Sequence, residues 1–124
     1  MKILVVDDEK DIQMLFQQRF RNEIKEGTMR FIFAFSGEEA LEIMKQHEHE
    51  AVLILSDINM PGMNGLQLLE KVKQIYVKPP PVVMMITAYG DTDNHKLAKD
   101  LGADDFLIKP VDFVSLKEKL LSIQ

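Results

Sequence analysis

The 124-residue sequence predicts an α/β fold in which five parallel strands form one open sheet covered by helices on both faces. Three observations lead to this prediction. Residues 1–6 and 51–55 are short apolar runs, as expected for strands buried on both faces. Segments with apolar residues at helical spacing alternate with the strands. The connections are short, and right-handed crossovers between parallel strands leave few topologies to consider.

The first strand is residues 1–6, and the first helix runs from Asp11 to a stop at Gly27. Its apolar positions recur at helical spacing: Ile12, Leu15, Phe16, Phe20 and Ile24. Residues 30–35 are rich in β-formers and predict the second strand. Ser36 can cap the second helix with Glu39 three positions later, and the buried stripe of that helix is Ala40, Leu41 and Met44.

The third strand, residues 51–55, carries Ser56 and Asp57 at its carboxyl end. Residues 59–65 are a loop rich in turn formers. The third helix has Leu66, Leu69, Val72 and Ile75 as its apolar positions and must end before the prolines at 79–81. These prolines are read as a loop that precedes a strand.

Residues 82–87 predict the fourth strand and residues 105–108 the fifth. The fourth helix between them is weaker, with Leu97, Ala98 and Leu101 as its apolar face. A turn at Lys109–Pro110 leads to the fifth helix, whose apolar positions are Phe113, Leu116, Leu120 and Leu121. Together these elements predict one domain over residues 1–124, with a flavodoxin-like, doubly wound sheet of strand order 2-1-3-4-5 and five helices.

Composition excludes several functional classes. The formal net charge of −5 argues against direct binding of nucleic acid, which depends on Lys and Arg. The chain has no cysteine, so disulfides and thiolate metal sites are excluded. No apolar run approaches the roughly 20 residues that span a bilayer, and no signal-peptide pattern is present. We therefore expect a cytoplasmic protein that does not enter a membrane.

Polar residues follow the ends of four predicted strands. Asp7 and Asp8 end the first, Asp57 the third, Thr87 the fourth and Lys109 the fifth. Because ligands of open α/β sheets bind outside the carboxyl ends of the strands, we expect these side chains to converge at one edge. Taken singly, each has an ordinary alternative as a helix cap, a strand residue or a solvated side chain. Because such residues follow four strand ends together, we favour a shared binding site over these separate alternatives.

Three neighbouring carboxylates repel one another unless a cation neutralises them. Oxygen ligands favour a hard ion such as Mg²⁺, with Mn²⁺ as a substitute. Lys109 adds a positive charge and Thr87 a hydroxyl donor, both suited to phosphoryl oxygens. Asp57, alone on the central strand, is the best-placed nucleophile.

The chain resembles the receiver domain of bacterial two-component response regulators from end to end. The matching stretches are residues 3–9 (ILVVDDE), 56–65 (SDINMPGMNG), 86–88 (ITA) and 106–110 (FLIKP). Together and in this order they are highly specific.

The resemblance implies a role for each residue of the site. Asp57 would accept a phosphoryl group from a histidine kinase or phosphotransfer protein. Asp8 and Asp57 would ligate Mg²⁺ directly, Asp7 through a water, and Asn59 through its backbone carbonyl. Lys109 would pair with a phosphoryl oxygen, and its peptide bond to Pro110 would be cis.

It also implies a switch. Thr87 would move to bond the phosphate, Phe106 would swing into the vacated space, and the face built from the fourth predicted helix, fifth strand and fifth helix would change and control the binding of a downstream protein. The alternative for Phe106 is a permanently buried core aromatic. Tyr89 is predicted to cover the phosphate and slow attacking water. Whether phosphorylation drives dimerisation stays open.

Two other functions compete with this interpretation. A phosphatase with an aspartyl-phosphate intermediate needs similar groups, but normally carries an aspartate where this chain has Asn59. A flavin-binding module has the same fold, but Asp7 and Asp8 would repel its phosphate. We expect no enzyme in the usual sense, only self-phosphorylation from a phosphodonor and autodephosphorylation. His47, His49 and His95 are expected to be solvated surface residues.

Overall fold

The computed structural model describes residues 1–47, 52–77 and 81–123 and shows a five-stranded sheet with helices on both faces. The strands are β1 (Lys2–Val6), β2 (Arg30–Ala34), β3 (Val52–Asp57), β4 (Val83–Thr87) and β5 (Asp105–Ile108). All pairings are parallel, in the order β2-β1-β3-β4-β5, so the predicted fold class and strand order are confirmed. The predicted strand start at Ala51 and the prolines at 79 and 80 lie outside the described residues.

The helices are α1 (Asp11–Arg19), α2 (Arg21–Glu26), α3 (Gly37–Gln46), α4 (Gly65–Ile75), α5 (Thr92–Asp100) and α6 (Phe113–Ile123). Within the described parts of the chain, no helix has the length and apolar content needed to cross a membrane. The fourth and fifth predicted helices correspond to α5 and α6.

The first predicted helix is divided, and that prediction of one continuous helix was wrong. Phe20, with φ −110° and ψ 24°, separates α1 from α2, although its N–H still donates to the Phe16 carbonyl. Phe20 is fully buried against Phe31 and Phe113, at ring-centroid distances of 5.1 and 6.1 Å. We attribute the break to this packing, which fixes Phe20 independently of helical spacing. The stop at Gly27 is as predicted, with φ 76°.

Two apolar clusters fill the space on either side of the sheet. Successive residues of β1 alternate between them, because side chains along a strand point to opposite faces. Leu4 and Val6 belong to the cluster that includes residues of α3, α4 and α5, whereas Ile3 and Val5 belong to the cluster that includes residues of α1 and α6. Helical spacing assigned some residues to the core that the structure leaves at least one-third exposed: Leu15, Ile24, Ile75, Leu97 and Leu121.

Strand register aligns the predicted site residues. Val6 is level with Ser56, so Asp7 and Asp57 follow at neighbouring positions of β1 and β3. Thr87 is level with Ile108 in β5, which places Lys109 one residue beyond. The sheet therefore delivers all of these residues to its carboxyl edge.

Candidate functional site

The carboxyl edge of the sheet carries a cluster of three carboxylates. Asp7, Asp8 and Asp57 each offer an oxygen, and these oxygens lie within 4.8 Å of one another. Asp7 and Asp57 are almost fully buried, at 5% and 2% exposure, and Asp8 is exposed. Two buried acids therefore share this edge with one that faces solvent.

Lys109 supplies the opposite charge. Its Nζ lies 2.7 Å from Oδ2 of Asp57, and its backbone N–H donates to the Thr87 carbonyl at 2.9 Å. The Lys109–Pro110 peptide bond is cis. The ammonium group thus reaches the carboxylate of the central strand from the far side of β4.

Backbone amides orient two of the carboxylates. The N–H of Glu9 donates to Asp7 Oδ1 at 2.9 Å, and the N–H of Asn59 donates to Asp57 Oδ1 at 3.3 Å. Each acid accepts from the residue two positions later, so the loops after β1 and β3 hold the side chains in place. Asn59 itself is exposed.

The protonation equilibria of the site reflect its burial and charge. Burial raises the pKa of the Asp7 carboxyl; the hydrogen bond from Glu9 opposes this shift, and the negative charge of Asp57 adds to it. Burial also works to lower the pKa of Lys109. The hydrogen bond to Asp57 and the charges of Asp57 and Asp7 outweigh burial, so the Lys109 pKa is raised and its positive charge is held firmly.

The loop from β3 into α4 depends on a close approach by Gly65. A Cβ atom at this position would lie 2.2 Å from the Asp57 carbonyl oxygen and 2.7 Å from Ile58 Cα. The N–H of Gly65 donates to the Ile58 carbonyl at 2.8 Å, and Asn64 forms a reciprocal capping box with Gln67. Sequence reasoning placed Asn64 and Gly65 in a loop and missed this role, although the Asn-x-x-Gln spacing is a helix-start signal.

The residues predicted to act as a switch lie beside the site. Thr87 is buried, and its Oγ1 donates to the Leu107 carbonyl at 3.5 Å. Tyr89 is 87% exposed. Phe106 is partly buried, with its ring centroid 3.9 Å from that of His95. His47 and His95 are both partly buried, so their prediction as solvated residues was wrong, and His49 lies outside the described residues.

The donor chemistry of the cluster fits a hard divalent cation. Three carboxylates and one ammonium group give the site a formal charge of −2. The clustered ligand atoms are all oxygens, which Mg²⁺ prefers, and the exposed side of Asp8 leaves room for the waters that Mg²⁺ usually retains. Chemically, the arrangement presents an oriented carboxylate beside a fixed positive charge and a potential metal site.

Comparisons with known proteins identify the family of this fold. A family model described as the response regulator receiver domain matches residues 3–121. Sporulation initiation phosphotransferase F of Bacillus subtilis is 35% identical over 117 residues, which cover 94% of this chain and 88% of the relative. The transcriptional regulatory protein CpxR of Escherichia coli is 33% identical over 122 residues, or 98% of this chain, but the chain spans only 48% of that relative.

Solved structures agree with the sequence relatives. Chemotaxis protein CheY4 of Vibrio cholerae superposes with a TM-score of 0.80 at 26% identity. The likeness covers 99% of this chain and 98% of that structure. The similarity therefore extends over the whole sheet and its helices.

Proposed function

The chain belongs to the response regulator receiver domain family of two-component systems, and on that premise we propose that Asp57 accepts a phosphoryl group and so switches the chain between two states. The observation that carries the proposal is the environment of Asp57. Its carboxylate is 2% exposed, lies 2.7 Å from Lys109 Nζ, and is clustered with two further carboxylates. A carboxylate that acts as a nucleophile towards a phosphoryl group needs nearby positive charge, which Lys109 and a bound metal ion would supply.

Mg²⁺, or Mn²⁺ in its place, is the proposed cofactor. In this proposal Asp8 and Asp57 hold the ion directly, Asp7 assists through a bound water, and Asn59 contributes its backbone carbonyl. The bound ion would supply positive charge that offsets the repulsion between the carboxylates and the incoming phosphoryl oxygens. The formal charge of −2 at the cluster supports a divalent ion.

The phosphodonor is proposed to be the phosphohistidine of a kinase or a phosphotransfer protein. A carboxylate oxygen of Asp57 forms the new bond to phosphorus, the bond from phosphorus to the imidazole nitrogen breaks, and the leaving imidazole takes a proton from solvent. Lys109 shifts its contact from Asp57 towards a phosphoryl oxygen. Hydrolysis later restores the carboxylate, and beyond this self-phosphorylation and autodephosphorylation we propose no enzymatic activity.

The signal is proposed to leave through the face formed by α5, β5 and α6. The phosphate adds close to two negative charges and strong acceptor oxygens. Thr87 would exchange its hydrogen bond to Leu107 for one to the phosphate, and Phe106 would move into the space this opens. Because Leu97 and Ile108 are about half exposed on this face, we propose that it contacts a downstream protein target in the cytoplasm or a second copy of the chain.

Phosphate incorporation tests the proposal directly. The native chain is incubated with acetyl phosphate and Mg²⁺, and its intact mass is compared with that of Asp57→Asn and of a matched control, Asp100→Asn, which changes an exposed carboxylate of α5. We expect one phosphate on the native chain and on Asp100→Asn, none on Asp57→Asn, and none with EDTA in place of Mg²⁺. Equal labelling of Asp57→Asn would refute the assignment of the phosphoacceptor.

A further inference from the structure

His95 of α5 and Phe106 of β5 form a ring pair beside the proposed switch. Their centroids lie 3.9 Å apart and their planes are inclined by 31°, so the two rings are in close, tilted contact. Both residues are partly buried. Phe106 also packs against the apolar cluster beneath α3, α4 and α5. Its ring is thus held between that cluster and the imidazole.

We propose that His95 is a positioning residue that retains Phe106 in the arrangement described here and thereby sets how readily the chain enters its phosphorylated state. This inference rests on the proposed function, in which Phe106 moves when Thr87 leaves the Leu107 carbonyl. It concerns a residue of α5, outside the carboxylate cluster, whose effect is exerted through the ring of Phe106.

The physical basis is a difference between two states. An interaction shifts a conformational equilibrium only if it is stronger in one state than in the other. The ring pair exists with Phe106 against α5 and is lost when Phe106 moves inward. A ring pair in such close contact is expected to favour the arrangement that contains it by roughly two- to tenfold.

Linkage extends this effect to the chemistry at Asp57. If phosphorylation favours the inward position of Phe106, then a change that releases Phe106 must favour phosphorylation by the same factor in equilibrium terms. Loss of the His95 ring should therefore increase the phosphorylated fraction at a fixed concentration of phosphodonor, although His95 lies on a helix whose residues are absent from the carboxylate cluster.

The start of α5 does not depend on His95. Asp91 caps the helix by accepting from the Asn94 N–H at 3.3 Å and from Asn94 Nδ2 at 2.8 Å. Alanine is also the best helix former. Substitutions of His95 should therefore leave α5 in place and report on the ring pair.

The experiment compares four variants with the native chain. His95→Ala removes the ring, His95→Leu retains side-chain bulk without a ring, His95→Phe retains a ring, and Lys96→Ala changes an exposed neighbour on the same helix. Each is incubated with Mg²⁺ and acetyl phosphate at one pH, and the initial rate and the steady-state phosphorylated fraction are followed by intact mass. In parallel, NMR of the native chain follows the His95 ring protons, identified by their absence in His95→Ala.

We expect His95→Ala and His95→Leu to raise the ratio of phosphorylated to unphosphorylated chain roughly two- to tenfold, with His95→Phe and Lys96→Ala close to native. The His95 ring protons should show a ring-current shift that disappears in Phe106→Leu and diminishes on phosphorylation. If His95→Ala fails to fold, the pair of His95→Leu and His95→Phe decides the question.

Two failures are distinguishable. A native chain that takes up no phosphate would refute the proposed function and this inference with it. If the native chain is phosphorylated but His95→Leu and His95→Phe reach the same phosphorylated fraction as Lys96→Ala, only the positioning role is refuted. An unchanged ring-current shift on phosphorylation would also refute it.

Discussion

Asp8→Asn should make the metal-free chain more stable, because the carboxylate cluster works against folding. The Asp8 carboxylate oxygen lies within 4.8 Å of oxygens of Asp7 and Asp57. At 4.8 Å, each repulsion amounts to about 0.9 kcal/mol with the dielectric constant of water and about 3.5 kcal/mol with an effective value near 20. Asp8 is exposed, so the lower figure is the better guide. The amide removes two such repulsions and leaves the pair of Lys109 with Asp57 intact.

We therefore expect Asp8→Asn to raise the free energy of unfolding by about 1–2 kcal/mol in EDTA. Mg²⁺ should reverse or narrow this difference in stability. An ion that binds only the folded state, present at a concentration ten times its Kd, raises the free energy of unfolding of the native chain by about 1.4 kcal/mol. The variant has lost a proposed ligand and should gain less. The comparison in EDTA thus measures the repulsion between the carboxylates, and the comparison in Mg²⁺ measures how far the ion offsets it.

Urea unfolding followed by far-UV circular dichroism provides the measurement, since the chain has no tryptophan for fluorescence. Glu118→Gln, which neutralises an exposed carboxylate of α6, controls for the change in net charge. If Asp8→Asn is no more stable than the native chain in EDTA, or if Glu118→Gln shows the same gain, the clustered carboxylates are not the source of strain and the reasoning fails.

Three further changes test other contacts. Glu23→Gln should lower stability by up to about 1 kcal/mol at pH 7, because the Glu23 carboxylate lies 2.5 Å from Lys117 Nζ and the bond holds its pKa below the ordinary value. That stability is present above the unfolded pKa, near 4.5, and is lost as pH falls through the lower folded value, so the native and variant curves should converge below about pH 4.5. Gly65→Ala should cost roughly 1–3 kcal/mol in urea unfolding, since its Cβ would meet backbone of Asp57 at 2.2 Å. Tyr89→Ala should speed the loss of phosphate measured by intact mass, because less of the phosphate would be shielded from water.

Matched variants sharpen these three tests. Glu26→Gln changes an exposed acid of the same helix as Glu23, and its stability should depend on pH in the same way as that of the native chain. Glu70→Ala leaves an alanine methyl group at an exposed position of α4, and equal losses of stability for it and Gly65→Ala would contradict the close-approach argument. An unchanged dephosphorylation rate in Tyr89→Ala would exclude shielding by this ring.

Periodicity and strand-end chemistry predicted the parts of this molecule that local sequence controls. The five strands and their order followed from apolar runs separated by helical patterns, and the Ser36 cap is observed with its oxygen accepting from the Glu39 N–H at 3.0 Å. The meeting of Asp7, Asp57 and Lys109 followed from the rule that carboxyl ends of parallel strands share one edge. The family resemblance inferred from the same motifs is confirmed, and it favours the receiver interpretation over the phosphatase and flavin alternatives.

Contacts between elements distant in sequence could not be predicted in this way. Helical spacing assigned Ile24 to the core, but the structure buries Glu23 instead, because Lys117 of α6 pairs with it and Phe20 breaks the helix just before. The ring pair of His95 with Phe106 likewise depends on how α5 lies against β5. Local sequence patterns do not predict which side chain of one element contacts which side chain of another.

The sheet that gathers the site also accounts for its response to charge. Parallel strands place the buried Asp7 and Asp57 at one edge, where a single ammonium group from Lys109 leaves negative charge in excess. Stability for this arrangement comes from elsewhere, including the aromatic packing of Phe16 and Phe20 between α1, β2 and α6. Since the apolar clusters on both faces of the sheet stabilise the fold, the proposed binding of a cation or a phosphoryl group would change the electrostatic interactions at the edge without unfolding the sheet. With a stabilising core and mutually repelling carboxylates at one edge, the domain would, under the proposed function, couple charge at Asp57 to the position of groups on β4 and β5.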